Sequence, residues 1–166
     1  MEKEKIITQP EELLEQLETL HPSDIAQSLK KIYKNDKDEF FDTVDQLPND
    51  TLGEVLLELP EKIKDDVYDQ LTVEELTEAV EAVETDDAKD IIQDIEDFDQ
   101  EKSESVFSQL EEEDKKDIAW LKRYEDEEAG AFMQTELFSA NVNETVLTAI
   151  NRLRTAKEND ELENIH

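Results

Sequence analysis

Apolar residues recur at a spacing of 12 along the middle of the chain: Leu47, Leu59, Leu71, Val83 and Ile95 form one column. Val44, Leu56, Tyr68, Val80 and Ile92 form a second, three residues ahead of the first, and Val55, Val67, Ala79 and Ile91 a third, one before the second. Steps of one, three and four put these side chains on one stripe of a helix, whereas a strand face requires alternation. The period predicts helices of about ten residues joined by turns of about two, too short to persist alone in water. Each must bury its stripe on its neighbours. The fold class that follows is all-α, a right-handed superhelical stack (solenoid) of short helices.

Outside the columns the pattern predicts further elements. A helix is expected from Pro10 to Leu20, with Pro in the first turn and Leu13, Leu14 and Leu17 inward. His21-Pro22-Ser23-Asp24 breaks the chain and restarts it, with Ser23 or Asp24 as candidate N-cap and Ile25, Ala26, Leu29 and Ile32 as the next stripe. Pro48 and Pro60 follow terminal leucines, where Pro begins a helix at little cost, and Thr72 and Thr85 are candidate caps. After Ile95 the spacing slips at Glu96-Asp97-Phe98-Asp99. A helix to Leu110 and another burying Ile118, Ala119 and Leu121 follow, with Trp120 and Tyr124 placed to plug the open end of the stack. Beyond Tyr124 the pattern changes. Gly130 lies beside Ala129, Ala131 and Phe132, Leu137 to Ala140 reads as a short strand, and Glu144 to Leu153 reads as a helix with Val146, Leu147, Ile150 and Leu153 inward. One strand and one helix cannot close a core. The expected organisation is therefore a helical domain at 1–124, a connector at 125–136, and at 137–166 the opening of a second, incomplete domain.

Composition changes the picture most through charge. Across 166 residues, 48 Asp and Glu oppose 17 Lys and Arg, a formal charge of −31. Between Glu74 and Asp117, 19 acids face four bases. Nucleic acid and anionic lipid need a basic surface, so both are poor partners and no direct membrane contact is expected. Such density repels itself unless cations or a basic partner neutralise it. The periodic stripes argue against a disordered acidic chain. No Cys is present, which removes disulfides, thiolate metal sites and cysteine nucleophiles. No apolar run reaches the roughly 20 residues that cross a bilayer, and no signal-peptide core follows Met1.

Candidate chemistry is narrow. Asp86 and Asp90 are four apart on one helical face, with Asp94 a turn further on and Ile91, Ile92 and Ile95 on the opposite side. Such a face offers the hard oxygen ligands that a divalent cation takes. Acids in a first helical turn also stabilise the helix dipole and cap free N–H groups, so Asp86 and Asp87 have a structural reading as well. His21 beside Pro22 fits a turn better than a metal site. No acidic run carries the central Gly of an EF-hand loop, and with only Gly53 and Gly130 there is no phosphate-cradling loop. Paired carboxylates could be drawn almost anywhere, so they signal no hydrolase, and no enzyme is expected.

Three segments together resemble the cytosolic N-terminal domain of MgtE-type magnesium transporters. They are Leu20-His21-Pro22-Ser23-Asp24-Ile25-Ala26, the junctions Leu47-Pro48 and Leu59-Pro60, and Tyr124-Glu125-Asp126-Glu127-Glu128-Ala129-Gly130-Ala131-Phe132-Met133. The last is similar to the family's connector into a paired CBS domain, although Ala131 stands where Gly is common and Gln134-Thr135 where Thr-Pro is common. Phe138 to Arg154 resembles the opening strand and helix of the first CBS repeat. The resemblance implies a magnesium sensor at the cytoplasmic face of the cell membrane, part of a homodimeric full-length transporter. Mg2+ lodged between its acidic domain and the CBS domains would hold them together and favour a closed transmembrane pore. It also implies Asp86 and Asp90 as metal-facing positions, and Glu54, in Gly53-Glu54-Val55-Leu56, as a third on the same side. This polypeptide would not itself transport. A rival of another class is a helical-repeat scaffold docking a basic protein, and a generic acidic cation buffer is a third reading.

Overall fold

The computed structural model describes residues 6–124, 128–133 and 138–158. The helices run in the order α1 (Pro10–Leu14), α2 (Pro22–Asn35), α3 (Lys37–Val44), α4 (Asn49–Glu58), α5 (Glu61–Gln70), α6 (Val73–Glu81), α7 (Thr85–Phe98), α8 (Gln100–Gln109), α9 (Glu112–Leu121) and α10 (Val146–Glu158). Short 3-10 turns occur at Leu17–Thr19 and Ala129–Phe132. Among the described residues there is no strand, and the fold is all-α.

Helices α4 to α7 begin at Asn49, Glu61, Val73 and Thr85, so the apolar columns fall at matching places on successive helices. Every residue of the three columns is buried except Val83, which is partly exposed and packs against the core. Alternate helices stack: α2 on α4, α4 on α6, α6 on α8, and in a second row α5 on α7 and α7 on α9. Their stripes meet in one apolar cluster running from Ile7 to Ile118. Each fully buried Leu or Ile there contributes about 1.5–3 kcal/mol, which is what holds helices too short to stand alone.

Sharp ends keep the helices short. Leu59 and Leu71 turn extended (ψ 144° in both) and stop α4 and α5. Pro60 then leads into α5, and Thr72 starts α6 with a capping box in which its hydroxyl accepts from Glu75 N and the Glu75 carboxylate accepts from Thr72 N. The Lys102 ammonium, arriving from α8, donates to the carbonyls of Tyr68 and Leu71 at the C-terminal end of α5.

Several local expectations are corrected. The first helix ends at Leu14 and gives way to the 3-10 turn, instead of running to Leu20. The cap of α2 is His21, whose Nδ1 accepts from Ser23 N at 3.4 Å, because Pro22 already occupies the first helical position. Glu84, not Thr85, precedes α7, and Thr85 is buried inside its first turn. Ala119 is exposed. Trp120 keeps 36% of its surface exposed, its ring edge-on to Tyr124 at 5.6 Å. Residues 138–140 form no strand; a strand needs a paired neighbour, and no other strand occurs among the described residues. Leu137 lies outside the described residues.

Candidate functional site

The site begins with a glycine. Gly53 lets α4 lie against α6: a Cβ there would stand 2.4 Å from Val83 Cγ1 and 2.7 Å from the Ala79 carbonyl oxygen. The next residue, Glu54, turns away from that contact and lines a groove over α7. The slip after Ile95 lengthens α7 to Phe98, a turn beyond its neighbours. Ala88, Ile91, Ile92 and Ile95 form its buried face. Asp87, Asp90, Asp94 and Asp97 form the other face, at steps of three, four and three, and line the groove.

The groove encloses about 700 Å³. Its walls are α7, the far half of α4, Lys64 of α5 and the His21-Pro22 start of α2. Six carboxylates (Glu54, Glu58, Asp87, Asp90, Asp94, Asp97) meet two lysines, Lys64 and Lys89. Lys64 pairs with Asp94 and so ties α5 to α7. Lys89 is buried and its Nζ lies 2.9 Å from Asp90 Oδ1. A neighbouring cleft of about 530 Å³ is lined by Tyr68, Asp65 and Phe98 and shares Lys64, Asp94 and Asp97 with the groove. The Tyr68 hydroxyl is buried without a hydrogen-bond partner, and burial, with the charges of Asp94 and Asp65, pushes its ionisation far upward.

Of the residues singled out in the sequence, Glu54 and Asp90 come together in the groove, joined by Asp94. Asp86 is not part of its lining; its Oδ1 is buried with no hydrogen-bond partner. Sequence reasoning passed over Asp87, Asp97, Glu58 and the two lysines. The 87-90-94-97 spacing was the available signal for the first two, since it is the complement of the Ile stripe.

The donor set suits a hard divalent cation: the carboxylate oxygens of an open groove. Among the described residues no three acidic or imidazole side chains converge closely enough to hold an ion by themselves. Glu54 or Asp90 would thus supply one or two ligands, with water and a facing surface supplying the rest, which is how Mg2+ is usually held.

Fold and groove together define an all-helical domain with an acidic groove. The MgtE intracellular N domain family matches residues 20–127, and the chain belongs to that family. Among solved structures it is similar to the crystal structure of the cytosolic domain of the Mg2+ channel MgtE in complex with ATP. The TM-score is 0.76 and the identity 25%, over 95% of this chain and 61% of that one. It also shares its fold with the crystal structure of the soluble part of a magnesium transporter (TM-score 0.65, identity 24%), over 90% of this chain and 63% of that one. The chain therefore spans less than two thirds of the length of either. No curated protein matches it. Among the described residues no helix is long and apolar enough to cross a membrane.

Proposed function

We propose that this chain is the cytosolic magnesium-sensing part of a magnesium transporter. The observation that carries the reading is the groove. In a chain of the MgtE N-domain family, one helix turns four aspartates outward toward Glu54 and Glu58 of another. Six carboxylates against two lysines repel one another, and the repulsion grows when a second acidic module is brought up to them. Divalent ions lodged between Glu54 or Asp90 and the facing module remove it, so they bind the docked arrangement better than the separated one. That difference in affinity sets the gate of the transmembrane pore. Asp86, the third position that the family resemblance implies, stands outside the groove lining with one oxygen buried, so in this reading Glu54 and Asp90 carry the ions of the groove.

The magnitudes are workable. An ion at about ten times its dissociation constant favours the docked state by about 1.4 kcal/mol. Shifting a gate from mostly open to mostly closed takes about 5.5 kcal/mol, hence about four such sites. The facing module in this reading is a CBS pair that starts within 137–166, reached through a connector at 125–136. The water-facing apolar side of α10 supports it: Val146 is 77% and Leu147 68% exposed, and the rest of a CBS domain would cover them. The complete protein would act as a homodimer in the cell membrane, with this part on the cytoplasmic side and no catalytic step assigned to it.

Thermal melting in millimolar MgCl2 against NaCl of matched ionic strength tests the reading. MgCl2 should raise the midpoint above the NaCl value, and the double substitution Glu54→Gln with Asp90→Asn should erase the excess. Equal midpoints in the two salts would overturn magnesium sensing and favour a groove that docks a basic segment.

A further inference from the structure

Lys89 is the odd residue of the groove. Lysine is almost never fully buried, since an ammonium without a partner costs several kcal/mol to desolvate. Lys89 nonetheless keeps only 4% of its surface exposed. It lines the acidic groove and pairs through Nζ with Asp90 Oδ1 at 2.9 Å. Residues adjacent in a helix do not face each other, so helix geometry alone does not bring this pair together. Its charge lies beside Asp90, on the wall of the groove that also carries Asp87, Asp94 and Asp97. Lys64, by contrast, reaches across from α5 to Asp94 and works as an interhelical tie.

We propose that Lys89 is a tethered competitor for the divalent cation: its ammonium holds the place beside Asp90 that the ion takes, and must be expelled when the ion binds. The inference rests on the magnesium reading above and adds to it the residue that sets the threshold. A single charge on a short tether neutralises Asp90 at low magnesium and keeps the groove from repelling itself apart. A double charge outcompetes it only once the ion is abundant. The expelled ammonium enters water, so occupancy of the groove is coupled to exposure of Lys89. Without such a competitor the same carboxylates would saturate at lower magnesium and the sensor would lose its working range.

Two measurements test this on the whole chain. In the first, Mg2+ titrations of melting midpoint compare the wild type with Lys89→Met. The half-effective Mg2+ concentration should fall about tenfold in the variant, the equivalent of removing about 1.4 kcal/mol of competition. In the second, the wild type is pulse-acetylated with an amine-reactive ester and mapped by mass spectrometry, which needs no variant to fold. Modification of Lys89 should rise several-fold in MgCl2 and stay low in NaCl of equal ionic strength. A magnesium-specific rise in wild-type midpoint with Lys89 acetylation unchanged would overturn the competition and leave the magnesium reading standing, as would an unshifted titration in a folded Lys89→Met. Absence of any magnesium-specific response in the wild type would overturn the magnesium reading, and the competition with it.

Discussion

Asp114 lies in the first turn of α9, where burial and the charges of Glu81, Glu111, Asp117 and Glu113 hold its carboxyl above the usual range. A carboxylate in a first turn gains from the helix dipole. Here repulsion and desolvation outweigh that gain, since the direction of the shift is upward. The sign for stability follows. The folded chain holds the Asp114 proton more tightly than the unfolded chain, so the group favours folding at low pH and penalises it once pH passes the folded value. Asp114→Asn should raise stability at pH 7 by about 0.5 kcal/mol, the scale of partly exposed charge effects. The advantage should vanish on titration below the usual carboxylate range, as read by urea midpoints across the pH series. Glu75 has the opposite sign. Hydrogen bonds from the Thr72 backbone and hydroxyl lower its carboxyl, so the stability it lends is present at neutral pH and lost in acid. The Thr72–Glu75 pair was legible, because a capping Thr with Glu three residues on is local. The strain on Asp114 was not, because Glu81 meets it only after α6 and α9 have found their places.

Between elements, α4 and α6 approach more closely than ordinary side chains permit. In an open helix Gly→Ala gains about 1 kcal/mol. At Gly53 the new methyl would stand 2.4 Å from Val83 Cγ1 and 2.7 Å from the Ala79 carbonyl oxygen. Val83 can turn aside, but a backbone oxygen cannot without parting the helices, so Gly53→Ala should cost about 2 kcal/mol net, within the range of overpacked cores. Urea unfolding would show it. Adding Val83→Ala should recover only part of the loss, because the carbonyl remains; full recovery would refute the backbone contact as the cause. The apolar columns disclosed which side of each helix is buried, since a stripe at helical spacing needs no knowledge of partners. They did not disclose that alternate helices stack, and so did not place Glu54 opposite α7. The expected N-caps fell two or three residues late at α2 and one late at α7, where His21 and Glu84 stand ahead of the more familiar capping residues. Gly130 makes a second close approach, under the Tyr124 ring, where a Cβ would lie 2.4 Å from the ring edge. That contact joins residues six positions apart, and the spacing alone did not reveal it.

At the scale of the whole molecule, the formal charge of −31 sets a background against which every local ion pair works. Pairs such as Lys122–Glu96 at 2.6 Å and Lys37–Asp66 at 2.6 Å join helices distant in sequence. With 17 bases for 48 acids, however, most carboxylates must repel. The sequence made this imbalance plain. Folding then concentrates the imbalance along α7, where the buried isoleucine face forces the aspartates onto one side. Two electrostatic contributions thus respond oppositely to added salt: screening weakens the favourable pairs and relieves the unfavourable crowd. The crowd is larger and longer in range, so relief should win. Raising NaCl from about 10 mM to about 150 mM shortens the screening length from about 30 Å to about 8 Å. The melting midpoint should rise across that interval, by about 2–4 °C for each kcal/mol of repulsion removed in a chain of this size, and level off above it. A midpoint that falls with NaCl would mean that the interhelical pairs, and not the net charge, govern stability. In that case the groove would gain little from any cation, and a magnesium-specific rise would have to come from ligation alone.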